Sequence, residues 1–219
     1  MDRRLLVLLV ALVAIVGVVN ATVYAYRWMT GTVNIAPAGE AGGAACTGFY
    51  SSRAQTNIST YLPKVGTNYD APTYGDNTIT VTPSGIVCQW TVDSSTTYYL
   101  YESISVTIPV TVGYWYIRDF YGFGYYNGTR SVYIWFRLED PANDGGSLTG
   151  ASLVVFKVSD STTEYIGSFD LLSNEGTQWY ITSLNSGEAL RLDLILNAAS
   201  AGSVTFRVGV YVSHENEAP

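Results

Sequence analysis

Val204-Thr-Phe-Arg-Val-Gly-Val-Tyr-Val212 alternates large apolar residues with Thr205, Arg207, Gly209 and Tyr211 without a break. A period of two puts Val204, Phe206, Val208, Val210 and Val212 on one face of an extended strand and the intervening residues on the other. Outward from it, the same alternation recurs in Leu190, Leu192, Leu194 and Leu196, in Val132, Ile134, Phe136 and Leu138, and in Ile104, Val106, Ile108, Val110 and Val112. Pro109 interrupts the last of these; lacking an N–H for a ladder, it predicts an edge strand or a bulge. Weaker strands are expected over 78–82, 86–92, 98–101, 153–158 and 177–182. Turn signals separate them at Pro83-Ser-Gly85, Asn127-Gly128, Asp144-Gly-Gly146, Asn174-Glu-Gly176, Asn185-Ser-Gly187 and Ala201-Gly202. No segment beyond the first residues carries a 3.6-residue apolar period. The pattern predicts an all-β fold, a β-sandwich or jelly roll, as one domain over 46–219.

Charged residues make up only 13% of the 219, and the net charge is −7, so no basic stripe exists to engage a nucleic acid backbone. Asp2, Arg3 and Arg4 precede an apolar run from Leu5 to Val19, which is followed by small residues at Ala21 and Ala25. That order of charge, apolar run and small residues reads as a signal peptide, residues 1–25, and the run is shorter than the roughly 20 residues a membrane span needs. The expected product is secreted and meets the membrane only during export.

Cys46 and Cys88 are the only cysteines, and in an exported chain they predict one disulfide rather than a metal site. A single histidine, His214, lies near the C-terminus, so neither a paired-His zinc motif nor a Ser/His/Asp set can be assembled from the sequence. The adjacent carboxylates Glu139 and Asp140 read as acidic residues at a strand end before Pro141, not as a hydrolytic pair. No phosphate-binding glycine loop is present. The sequence therefore predicts no enzyme, no cofactor and no metal centre; Asp140 to Asp144 could supply oxygen ligands to calcium but match no defined spacing. Asn57-Ile-Ser59 and Asn127-Gly-Thr129 are N-glycosylation sequons. Residues 55–75, rich in Thr, Asn, Tyr and Pro, read as an irregular surface excursion.

Residues 26–36 form a second feature of interest. Met29, Gly31, Val33 and Ile35 share one face of an extended segment, with Thr30, Thr32 and Asn34 on the other. A Gly/Ala-rich linker, 37–45, separates that segment from the body. Such a strand either joins its own sheet or completes a neighbour's by β-augmentation, and Met29, Thr30, Gly31, Thr32, Val33, Asn34 and Ile35 are then the polymerisation residues. The aromatic stretch from Tyr114 to Tyr126 supports a different reading, a monomeric surface module that stacks glycans on its rings.

Thr22-Val-Tyr-Ala-Tyr-Arg-Trp28, Gly31-Thr-Val-Asn-Ile35, Ser186-Gly-Glu-Ala-Leu-Arg-Leu-Asp-Leu-Ile-Leu-Asn197 and Ala201-Gly-Ser-Val-Thr-Phe-Arg-Val208 resemble the leader junction, first strand and closing strands of the TasA/camelysin family of secreted β proteins, archaeal bundling pilins above all. The resemblance covers about a third of the chain. It implies cleavage after Ala25 and a self-partnering subunit that forms head-to-tail extracellular filaments by donor-strand complementation, with lateral bundling, cell–cell adhesion and biofilm as the setting. This chain departs from bacterial members in its cysteine pair and its scarcity of lysine. The peptidase activity assigned to some camelysins is not implied, since no zinc motif is present.

Overall fold

The computed structural model describes residues 46–68, 72–74, 77–92, 95–143, 148–160 and 162–217. The leader, residues 26–36 and the linker 37–45 lie outside the described residues. Twelve strands follow in chain order: β1 (Cys46–Tyr50), β2 (Pro72–Tyr74), β3 (Asn77–Thr78), β4 (Thr80–Val92), β5 (Thr96–Val110), β6 (Gly113–Tyr126), β7 (Val132–Asn143), β8 (Leu148–Val158), β9 (Thr163–Asp170), β10 (Gln178–Leu184), β11 (Ala189–Ala198) and β12 (Gly202–Ser213). The fold is all-β, as the alternation predicts.

One antiparallel sheet takes the order β10-β7-β12-β5-β1-β6-β11-β8-β9, with β4 on the other flank of β5, while β2 and β3 form a separate hairpin. The sheet curls until β9 and β10 touch, giving a nearly closed sandwich. Inside it, Val204, Phe206 and Val208 of β12 meet Ile104, Val106 and Ile108 of β5, with Ile134, Phe136 and Leu138 of β7 and Leu190, Leu192, Leu194 and Leu196 of β11 in the same core. Each apolar residue removed from water there contributes about 1.5–3 kcal/mol.

Three readings of the sequence need correction. Pro109 does not mark an edge: β5 is flanked by β4 on one side and by β12 and β1 on the other. The β4 ladder stops at Thr80↔Thr107, so Pro109 lies beyond it, where a missing N–H breaks no β4 bond. Pro83-Ser-Gly85 is not a turn but part of β4, the strand that itself has an open flank; Gly85 takes φ +68°, and the register shifts between Ile86 and Cys88. Residues 55–75 are no plain surface excursion. After a short 3₁₀ helix, Ile58–Thr60, Leu62 and Val65 are buried with Ile58, Tyr50, Tyr98 and Leu100 in a second, smaller core.

That second core holds the Cys46–Cys88 disulfide, with Cα atoms 5.4 Å apart. Trp90 stacks on Tyr126 beside it at 4.3 Å between ring centroids. The bridge closes a loop with a sequence separation of 42, which in the chain-entropy account stabilises by about 4 kcal/mol. Changing both cysteines to serine is expected to lower the thermal midpoint markedly while far-UV circular dichroism stays that of a β protein; an unchanged midpoint in calorimetry would refute a structural role for the bridge.

Candidate functional site

The feature that distinguishes one region of this sandwich lies on β5. Its flank opposite β4 is shared by two strands: β12 pairs with it from Gly202↔Val110 to Val208↔Ile104, and β1 pairs with it at Phe49↔Tyr101. One flank can carry one ladder at a time, so the two strands part there. β1 turns to β6, register Cys46↔Tyr126 to Tyr50↔Gly122. β12 runs on with β7, register Gly209↔Arg137 to Ser213↔Tyr133.

Between them lies a narrow cleft of about 20 Å³, lined by Thr47, Gly48, Tyr101, Glu102, Phe123, Val210, Tyr211 and Val212, so a strand that enters it must part β1 from β12. Val210 and Val212 continue the core face of β12, yet they are half-buried where Val204, Phe206 and Val208 are buried. Both still pack against the main core. The cleft thus leads from solvent to the apolar interior, with valines of one sheet layer on one wall and Phe123 of the other layer behind.

β1 is fixed as the opposite wall. A Cβ on Gly48 would lie 2.8 Å from the Leu100 Cβ and the Tyr101 carbonyl, so only glycine lets β1 press so close to β5. The loop after β1 is tied down by two carboxylates. Asp119, at φ +57° in β6, accepts from the Gly66 amide at 2.7 Å, from the Thr67 amide at 3.1 Å and from the Thr67 hydroxyl. Asp193 of β11, fully buried, accepts from the Asp119 amide at 2.8 Å, from the Tyr116 hydroxyl, and from Arg191 Nε at 2.9 Å and Nη2 at 3.1 Å. Hydrogen bonding to Asp193, then burial, pushes the Tyr116 phenol above its ordinary range. Every donor on these carboxylates is a structural group, so the pair works as a clamp.

The other residues singled out in the sequence are dispersed. Glu139 and Asp140 each face an arginine: Glu139 Oε1 lies 3.6 Å from Arg137 Nε, and Asp140 Oδ2 lies 2.9 Å from Arg207 Nε. Burial raises the Glu139 carboxyl above the usual carboxylate range, against the attraction of Arg137 and Arg207. Asp144 is outside the described residues, and among the described residues no three His, Cys, Asp or Glu side chains gather to hold a metal. His214 Nδ1 lies 3.1 Å from the Ser131 carbonyl at the end of β12. Asn57 and Asn127 are exposed, both at positive φ, at the start of the 3₁₀ helix and in the turn after β6. The aromatic stretch divides in two: Phe120, Tyr121, Phe123 and Tyr125 are core, and only Tyr114 and Tyr116 are well exposed. Met29 to Ile35 lie outside the described residues. The cleft itself had no signature in the sequence, because Val210 and Val212 read as ordinary core positions.

No family model and no curated protein matches the chain. Among solved structures it is similar to TmCBM61 in complex with β-1,4-galactotriose, at 9% identity and a TM-score of 0.27, over 69% of this chain and 97% of that one.

Two outcomes test the clamp and the buried charge. Asp193→Ala strands Arg191 and the Asp119 amide and is expected to cost about 3 kcal/mol or more in urea unfolding. Glu139, with a pKa higher folded than unfolded, binds protons more tightly in the folded state, so its share of stability grows as pH falls through the raised value and is absent above it. The urea midpoint of Glu139→Gln should lack the gain that the wild type shows as pH is lowered from neutrality toward the ordinary carboxylate range; identical profiles would remove Glu139 as the cause.

Proposed function

We propose that the protein is the structural subunit of an extracellular filament that grows head to tail by donor-strand complementation, residues 29–35 of one subunit entering the β1/β12 cleft of the next. The observation that carries this reading is the half-buried state of Val210 and Val212 at the place where the β12–β5 ladder ends. A strand laid along β12 there adds backbone hydrogen bonds worth about 0.5–1.5 kcal/mol each. Val33 and Ile35, on the same face of the segment, can reach the cleft and bury against Phe123, Val210 and Val212, adding about 1.5–3 kcal/mol per side chain. The contact joins two different surfaces of the same chain, so it repeats without closing and makes a fibre.

The setting that follows is the cell exterior, with a disulfide suited to an oxidising compartment and adhesion or biofilm as the use of a bundled fibre. The partner is a further copy of the chain. No step of bond making or breaking is asked of any residue.

Replacing Val33 and Ile35 with Asp should abolish filaments seen by negative-stain electron microscopy while leaving soluble monomer. Val210→Asp, on the receiving wall, should do the same from the other side of the joint. An equimolar mixture of the two variants should give dimers, since each retains one intact half. Filaments of normal length from either variant would reject the reading.

A further inference from the structure

Resting on that filament reading, the topology constrains what the terminal segment does before a neighbour arrives. β1 and β12 are both antiparallel to β5, so they run parallel to each other. A strand that continues the antiparallel sheet at β12 must therefore run opposite to β1 as well. Residues 26–35 precede β1 in the chain, and a strand that folds back upon β1 through the linker runs opposite to it. The direction required of a donor from another subunit is the direction the subunit's own segment would take on folding back.

Reach is sufficient. The linker 36–45 ends at Cys46, the first residue of β1, which forms one wall of the cleft. Extended, it spans up to roughly 35 Å. The strand it must step across is a gap of roughly 5–10 Å. Five alanines and three glycines among residues 36–45, with Pro37 and Glu40, place no aromatic or β-branched side chain in the way of a reversal.

We propose that residues 29–35 of an unassembled subunit occupy that subunit's own β1/β12 cleft, antiparallel to β12, and that filament growth is an exchange of this strand between subunits. The self-capped subunit hides Val33 and Ile35 during export and release, when an exposed apolar strand would pair at random. A tethered strand competes at an effective concentration in the millimolar range for a short linker. Dilute monomer therefore stays monomeric, and assembly needs either high local concentration or a filament end that already presents an emptied cleft.

The test uses the full secreted chain carrying Val33→Cys with either Val210→Cys or Val212→Cys, oxidised at low and at high concentration, with the native Cys46–Cys88 pairing checked by peptide mapping. In freshly prepared dilute monomer the new disulfide is expected within one chain; in grown filaments it is expected between chains, as a ladder of multimers. Disulfides found only between chains, at every dilution, would overturn the self-capped state and leave the filament reading standing. No disulfide to either wall position in either form, with filaments present, would place the donor elsewhere and overturn both. Hydrogen exchange on the unsubstituted chain gives an independent reading: those amides of residues 209–213 that point away from β7, toward the cleft, should be protected in dilute monomer as well as in filaments, and protection of these amides confined to filaments would reject self-capping.

Discussion

The structure depends on the sharing of one flank of β5. Two strands approach it from the same side, β12 along Ile104 to Val110 and β1 at Tyr101, and the ladder geometry admits only one at a time. The separation of the two sheet layers starts at that fork. β1 carries the fold into β6, β11, β8 and β9, whereas β12 carries it into β7 and β10. With β9 meeting β10 at the far side, the fork is one place where the interior approaches solvent between strands; a wider hollow, lined by Ile104, Phe206, Asp140 and Arg207, is another.

A fork is stable only if the short strand in it is held. β1 lies between longer partners, and all of its residues are buried. Gly48 gives it the clearance to reach β5, the disulfide at Cys46 pins its start, and its end leads into a loop fastened through Gly66 and Thr67 to Asp119. Asp119 is in turn oriented by Asp193, a charge that would be costly in so dry a place without its Arg191 partner and two further donors, the Asp119 amide and the Tyr116 hydroxyl. Disulfide, glycine and carboxylate clamp act on the same wall, so the cleft is a built feature of the native state.

Most of the fold was legible in the sequence. Period-two runs at Val132–Leu138, Leu190–Leu196 and Val204–Val212 identified β7, β11 and β12, because large apolar residues occupy the core face of each and polar or smaller ones alternate with them, although in β11 the second face is itself largely covered. β1 escaped notice because both its faces are covered, which leaves no alternation. β6 escaped for a related reason: from Phe120 to Tyr125 it is buried on both sides, so its tyrosines and glycines read as an aromatic patch. β4 was split in two because Pro83 and Gly85 are turn residues elsewhere; on an open flank the proline costs no ladder bond, and Gly85 takes its positive φ inside the strand just before the bulge at Val87. The Cys46–Cys88 pair was readable from cysteine count alone. The cleft was not, since the half-burial of Val210 and Val212 is set by where β1 goes, a long-range fact that local pattern does not carry.

Other strand flanks are open among the described residues, and under the donor-strand proposal their chemistry would make them poorer acceptors than the fork. β4 presents a long flank without a charged residue, but Pro83 and the bulge at Val87 interrupt it, and of its outward residues Thr80, Thr82, Ser84, Ile86, Gln89 and Thr91 only Ile86 is apolar. A strand docked there would gain backbone bonds and little apolar burial. β9 carries Glu164 and Asp170, charges that discourage edge pairing. At the fork a docked strand gains both terms, because the ladder position adjoins Val210, Val212 and Phe123. Hydrogen bonds along a strand set direction while side chains entering an interior set register, and only the fork supplies both to a segment whose apolar residues stand two apart.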